Sequence, residues 1–499
     1  MERFAIIGFG CAGYHGLAAI REAGCDAAID IYSDTALPPY NPMLTTYYTA
    51  GRLPFEGMFP FGTMEEIAAR YKADFITHTK VKAVHAKEKT VETWDGHKEP
   101  YDRILVATGA SAFVPGSFAG LKGAFCMRTV EDAVRLHDAL EAGDYKDAVV
   151  VGASMVGIKV AELLHKKGIH VTLADMASHI FALAAYPQVS EIIEDRIRAM
   201  GMDTAFGQAI TSAEEHLDGQ GNVTGYTVHL GDGSCLETEM LILNIGTRAC
   251  TGILDPDEIA IDRGIVVDER MHTSAPDIFA AGDCCQGNNM QSGQTQIIGL
   301  WANAGVQGRV AGRNMAGAAD ETDGNILHNI THFLDMDFIG LGDNRLTGDT
   351  YTYTSRNKGF YLQAVIRDGK PVGFNILDNH GISGILKAHL IKLLRGEPCR
   401  FTPEQRGQLV RYGLEQSFMD YLEGIDMTEL ERRIKAKIPG PDTGIEVRHT
   451  MCDICSPGMH CGINAYIKDG KVLRLRVLTA IRPMTDASVP REWPTANTY

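Results

Sequence analysis

The sequence lacks three things that would each point to a different class of protein. No stretch of its 499 residues approaches the roughly 18 consecutive apolar residues that a membrane-spanning helix needs, so no membrane partner is expected. Basic residues are in deficit, with 47 Lys and Arg against 63 Asp and Glu and a formal net charge of −16. That balance argues against nucleic acid as a partner, because a polyanion would be repelled. A basic and apolar leader is also missing: an apolar strand begins within three residues of Met1, and a cytoplasmic location is expected. Such a location keeps thiols reduced. The 11 cysteines therefore read as thiols or metal ligands rather than disulfides. Eight are scattered, and Cys452, Cys455 and Cys461 are clustered.

What is present is a pair of glycine-rich turns, each following an apolar strand. The first is FAIIGFGCAG (Phe4 to Gly13) and the second AVVVGASMVG (Ala148 to Gly157). In a strand-turn-helix unit of this kind, the helix N-terminus presents free N–H groups and positive dipole to a pyrophosphate. In the first turn Gly8 permits the bend, Gly10 admits the pyrophosphate and Gly13 allows helix and strand to pack closely. The next strand, AAIDIYSD, brings Asp34 about 20 residues on, suited to a ribose hydroxyl. In the second turn Ser154 stands where a middle glycine is usual, between Gly152 and Gly157, and HVTLADM ends in Asp175. A carboxylate there favours the 2′-hydroxyl of NADH over the 2′-phosphate of NADPH.

The surrounding pattern repeats as well. Each unit continues into a β segment with an Asp-Gly turn, at Asp95-Gly96 and Asp232-Gly233, and then into a further strand, YDRILVATGA or TEMLILNIGT. Asp-Gly between alternating segments marks a hairpin, so each unit reads as a Rossmann fold carrying a β-meander. APDIFAAGDCC (Ala275 to Cys285) is expected to return the chain to the first unit. YLQAVIRDGKPVGFNIL reads as an antiparallel hairpin and ILKAHLIKLLRG as an amphipathic helix ending at Gly396. A Pro/Gly joint, KIPGPDTG, precedes the tail.

The series GFGCAG, VATGA, GASMVG, NIGTR and FAAGD, in that order, resembles the two-dinucleotide flavoproteins of the pyridine nucleotide-disulfide oxidoreductase class, in particular rubredoxin-reductase-like proteins and the flavoprotein part of NADH nitrite reductases. The resemblance covers roughly residues 1–320, with 325–400 similar to the usual C-terminal interface domain. It implies an α/β protein with two Rossmann-like domains bearing β-meander insertions, an α+β interface domain and a short Cys-rich tail. The domains are then 1–112 and 246–322 for FAD, 113–245 for NAD, 323–440 for the interface and 445–499 for the tail. It also implies FAD held by Gly8, Gly10, Gly13, Asp34, Thr108, Gly109, Gly282 and Asp283. NADH is held by Gly152, Ser154, Gly157 and Asp175, Gly246 is a further cofactor-binding residue, and a homodimer is expected. Tyr40, in PPYNPMLTTYYTAG, is similar to a tyrosine beside the flavin in relatives.

Departures from the family set the subtype. Asn41 to Gly51 contains no cysteine, so neither usual flavin-to-disulfide relay is expected. Lys159 stands where relatives often carry glutamate; it either tunes the flavin and nicotinamide environment or pairs with a carboxylate such as Glu162. Cys284 and Cys285 form either a vicinal redox pair or ordinary small packing residues. The tail sets Cys452, Cys455, His460 and Cys461 within ten residues, a soft donor set suited to zinc or an iron–sulfur cluster. About 30 of its residues resemble the N-terminal iron–sulfur segment of molybdopterin oxidoreductases, although no cysteine follows Cys461. The expected activity is electron transfer from NADH through FAD to an external acceptor: a small redox protein, an iron–sulfur centre or a partner molybdoenzyme. An NADH oxidase forming peroxide, or a non-catalytic nucleotide-sensing docking subunit, stays open.

Overall fold

The computed structural model describes residues 2–355, 358–424, 445–452, 460–469 and 471–481. It separates into two compact units, Met1–Cys399 and Arg400–Tyr499; the interface domain read from sequence as 323–440 spans that division.

In the first unit, two parallel sheets are built from the apolar runs that flank the glycine turns. The first has the order Ile278–Ala280, Arg103–Val106, Arg3–Ile7, Ala28–Tyr32 and Asp74–Ile76. The strand from the FAAGD segment thus closes the edge of the sheet that the N-terminus opens. The second has the order Asp203–Phe206, His170–Asp175, Asp147–Val151 and Met240–Leu243. Strands such as Phe4–Ile7 and Ile104–Val106 are buried on both faces, which explains why they read as unbroken apolar runs rather than alternating ones.

Each sheet carries the expected meander. The first runs Val81–His85, Thr90–Thr93 and Lys98–Pro100, with its second turn at Asp95-Gly96. The second runs Ile210–Leu217, Val223–Leu230 and Cys235–Thr238. A five-stranded antiparallel sheet from His328 to Leu377 follows, packed by the helix Ser383–Leu394. Its hairpin turns at Asp368 (φ 52°) and Gly369 (φ 71°), two left-handed residues in a row, the geometry that makes Asp-Gly a hairpin signal.

Helix Trp301–Met315 lies on the first glycine helix, Cys11–Glu22, backbone against backbone. A β-carbon on Gly308 would come within 2.2 Å of the Ala12 carbonyl oxygen. Any larger residue there would push the two helices apart, which accounts for the small-residue run in LWANAGVQGRVAGRNMAG.

In the second unit, two helices, Pro403–Arg411 and Gln416–Leu422, precede an antiparallel sheet of Glu446–Cys452, His460–Lys468 and Lys471–Ile481. The first helix starts at a reciprocal cap between Thr402 and Gln405. The joint KIPGPDTG lies outside the described residues. Among the described residues, no helix is long and apolar enough to cross a membrane.

Candidate functional site

The two glycine turns sit at the carboxyl ends of their parallel sheets, where α/β folds bind ligands. Both are anchored in the same way. The amide of Gly8 donates to the Tyr32 carbonyl and that of Gly152 to the Ala174 carbonyl, at 2.9 and 2.8 Å. These bonds align the units residue by residue. Ser33 then matches Asp175, and Asp34 lies one residue further along the chain, exposed.

The first turn suits a dinucleotide. No atom lies within 4 Å of the place where a β-carbon on Gly10 would stand, and no side chain caps helix Cys11–Glu22. Its first amides are therefore available to an anion. Around this turn the fold collects residues far apart in sequence. Thr108 Oγ1 donates to the Cys250 carbonyl (2.7 Å), and the Gly109 carbonyl accepts from the Cys250 amide (3.0 Å). Gly282 lies against Ala12. Asp283 is ion-paired at 2.8 Å to Arg128, whose Nε also donates to the Ala110 carbonyl. The Tyr40 hydroxyl points to the Arg128 carbonyl at 3.5 Å. Burial pushes the Tyr40 phenol up to about 12, so it is a neutral donor at physiological pH.

The sequence reading missed Arg128. Its signal was weak: a single arginine in MRTVED, just before a helix whose start is fixed by a reciprocal Thr129–Asp132 cap. Only the fold brings it to Asp283, 155 residues away.

The second turn is built differently. Ser154 is the N-cap of helix Met155–Lys166, its Oγ accepting from the Gly157 amide at 3.3 Å. A β-carbon on Gly157 would stand 1.8 Å from the Gly152 carbonyl oxygen, so only glycine fits. The Asp175 carboxylate accepts from the Ala153 amide (2.6 Å) and the Ala177 amide (2.8 Å). Gly246, at φ 130°, accepts from the Phe113 amide.

Lys159 is paired with Glu162 at 2.5 Å, as one of its two readings expected. It also donates to the His332 carbonyl (2.8 Å) and sits 5.0 Å over the Tyr47 ring. Glu162 is almost fully buried. Burial alone would raise its pKa, but hydrogen bonds from Lys159 and Lys166 outweigh that and hold it below the usual carboxylate range.

The cysteines of the first unit are thiols. Cys284 and Cys285 are buried and each donates to backbone carbonyls; burial raises both thiol pKa values. Cys11 donates to the Trp301 carbonyl (3.2 Å) and is pushed up to about 12, chiefly by burial and then by the charge of Asp283. A thiol held protonated is a poor nucleophile, and the burial of all three fits the packing reading.

In the tail, Cys452 and Cys461 are cross-strand partners, and His460 precedes Cys461 on the same strand. Cys455 lies outside the described residues. No group of three or more metal-ligating side chains is found among the described residues.

Known proteins fit this arrangement. The family model for pyridine nucleotide-disulphide oxidoreductases matches residues 2–308. The NADH-dependent phenylglyoxylate dehydrogenase subunit epsilon of Aromatoleum evansii is 28% identical over 395 residues, 78% of this chain and 91% of its own length. Putidaredoxin reductase of Pseudomonas putida is 30% identical over 290 residues, 57% of this chain and 67% of its own. Among solved structures, the covalent putidaredoxin reductase–putidaredoxin complex superposes with a TM-score of 0.72 at 22% identity, covering 83% of this chain and 99% of that one. The water-forming NADH oxidase of Lactobacillus brevis does so at 0.75 and 19%, covering 87% and 100%. With both glycine turns inside the matched region, the chain belongs to the pyridine nucleotide-disulphide oxidoreductase family and is an FAD-dependent NAD(P)H oxidoreductase.

Proposed function

We propose that the protein takes a hydride from NADH into FAD and passes the electrons to a separate redox partner. The observation that carries this reading is the pair of turns, one open at Gly10 and one bonded to Asp175, in a chain whose cysteines near the first turn are thiols, with Cys11, Cys284 and Cys285 buried. FAD accepts electrons as a pair and can release them singly; the residues around it bind and orient. Gly8, Gly10, Gly13, Asp34, Thr108, Gly109, Gly282 and Asp283 are assigned to the flavin dinucleotide, with Arg128 added. Gly152, Ser154, Gly157, Asp175 and Gly246 are assigned to NADH. Asp175 supports NADH over NADPH, because its carboxylate would repel a 2′-phosphate. Tyr40 is assigned to the flavin side, with its phenol neutral. Lys159 is assigned a supporting part, since its charge is balanced by Glu162.

Relatives that reduce putidaredoxin or rubredoxin, and one named as a subunit of a larger NADH-dependent dehydrogenase, support a protein acceptor. The net charge of −16 suits a partner with a neutral or basic face. We assign the tail's Cys452, Cys455, His460 and Cys461 to a soft metal or iron–sulfur cluster, a cytoplasmic location to the protein, and a homodimer to its assembly. The domain boundaries read from sequence belong to the same proposal.

An anaerobic titration with NADH, with iron, zinc and sulfide measured on the same sample, tests this reading. Flavin bleaching at one NADH per FAD, and none or far less with NADPH, is expected. A flavin that stays oxidised under excess NADH but bleaches with dithionite would overturn it. Rapid peroxide formation under air, undiminished by added redox proteins, would favour the oxidase reading instead.

A further inference from the structure

Ala153, between Gly152 and Ser154 in the second glycine turn, is held by its backbone on both sides. Its amide donates to Asp175, and its carbonyl accepts from the Phe181 amide at 3.0 Å. Phe181 is an unusual residue to find there. It has φ 56°, in the left-handed region that costs an L-residue roughly 1–2 kcal/mol. A bulky side chain stays in that region only where its surroundings over-determine it.

Phe181 shares the core of the nucleotide domain, but the rings that meet its own come from elsewhere. The Phe181 ring, 3% exposed, packs against Phe333 (centroids 5.5 Å apart, edge-on) and Phe338 (5.0 Å), both on the antiparallel sheet of residues 328–377. The loop that follows is pinned to the same sheet. Asn344 Nδ2 donates to the carbonyls of Ala182 and Ala185. Asn375 donates to the Ala184 carbonyl and accepts from the Tyr186 amide. In the first turn the matching position is Phe9, held instead through its own ring against Phe75. The second turn is thus tied through Phe181 to the antiparallel sheet, a link not seen for Phe9 among the described residues.

We propose that Phe181 is a positioning residue for the nicotinamide dinucleotide. The antiparallel sheet clamps its ring, the clamp holds the left-handed backbone, and that backbone sets Ala153 and the amides beside it for the pyrophosphate. The sheet is then part of the apparatus for NADH affinity although none of its residues belongs to the assigned NADH site. The inference rests on the assignment of NADH to the second turn.

The test is calorimetric binding of NAD+ and of ADP-ribose to the FAD-loaded protein and to three variants: Phe181→Ala, Phe181→Gly and Phe338→Leu. If lost packing were all that mattered, glycine would bind worse than alanine. If the backbone is what counts, the order reverses, because glycine adopts positive φ freely. We expect about tenfold weaker ADP-ribose binding for Phe181→Ala, about threefold for Phe181→Gly, and an intermediate loss for Phe338→Leu. FAD occupancy should match wild type throughout. Equal binding by all four proteins, or glycine weaker than alanine, overturns the proposal while leaving the NADH assignment in place. A wild-type protein that binds neither ligand overturns both. Phe338→Leu keeps the test decisive should Phe181→Ala fail to fold.

Discussion

The two glycine turns share a topology and an anchoring bond, yet they meet their ligands on different terms. The first is open: nothing stands over Gly10, and its helix is uncapped. The second is closed in on itself: Ser154 caps its helix, and Asp175 and Phe181 hold Ala153 from either side. An uncapped helix N-terminus in an apoprotein leaves unsatisfied amides that a ligand then satisfies, which suits a cofactor that stays. A self-capped one is stable empty and suits a substrate that must come and go each cycle. The difference fits a resident flavin on one side and an exchanging nicotinamide on the other.

The comparison breaks most sharply at Gly10. Its φ of −88° is ordinary and a β-carbon would meet no protein atom within 4 Å, so Gly10→Val should fold. It should also be colourless, because valine fills the space left for the pyrophosphate. The flavin spectrum of the purified variant, with circular dichroism to show that it is folded, checks this. Gly157→Ala is the opposite case: its β-carbon lies 1.8 Å from the Gly152 carbonyl, so the second turn must distort. We expect a yellow protein that dithionite still bleaches but whose reduction by NADH is at least about a hundredfold slower. Stopped-flow absorbance reads both.

Much of this was legible in the sequence. Apolar runs ending in glycine gave both sheets and both turns, and three Asp-Gly pairs marked hairpins that form where they stand. A spacing of about 20 pointed to Asp34, which lies one residue beyond Ser33, the counterpart of Asp175 by the bond from Gly8 to Tyr32. Arg128 and Phe181 left no usable signal. One acts across 155 residues through an ion pair, and the other through a backbone amide that any residue type except proline possesses. The Lys159–Glu162 pair was legible because i,i+3 neighbours share a helix face.

That pair allows a stability test on the second turn's helix. Lys159→Met leaves a nearly buried carboxylate with one fewer partner, at a cost of about 2 kcal/mol at neutral pH. The sign with pH follows from the lowered pKa of Glu162. Its ion pairing contributes fully above the ordinary carboxylate range and is lost as pH falls through the lowered value. The gap between wild type and variant should therefore be widest near pH 7 and close under acid, as urea melts across pH would show. A smaller effect is expected at the ribose. Asp175→Ser copies the first unit's residue into the second and removes the charge facing a 2′-phosphate. The ratio of kcat/KM for NADH over NADPH should fall about tenfold.

The finest distinction between the turns lies in one hydroxyl. Ser154 Oγ accepts from the Gly157 amide at 3.3 Å, a long bond that an incoming phosphate oxygen can displace. Ser154→Gly removes the cap and copies the open geometry of Gly10. Losing a serine cap to glycine costs only a few tenths of a kcal/mol of helix stability, and it frees an amide for the ligand. NAD+ and NADH should both bind roughly two- to threefold tighter. If release of NAD+ limits turnover, kcat then falls while KM falls with it. A variant that binds no tighter would mean that the hydroxyl stays on Gly157 in the complex, and that the two turns hold pyrophosphate by different sets of amides.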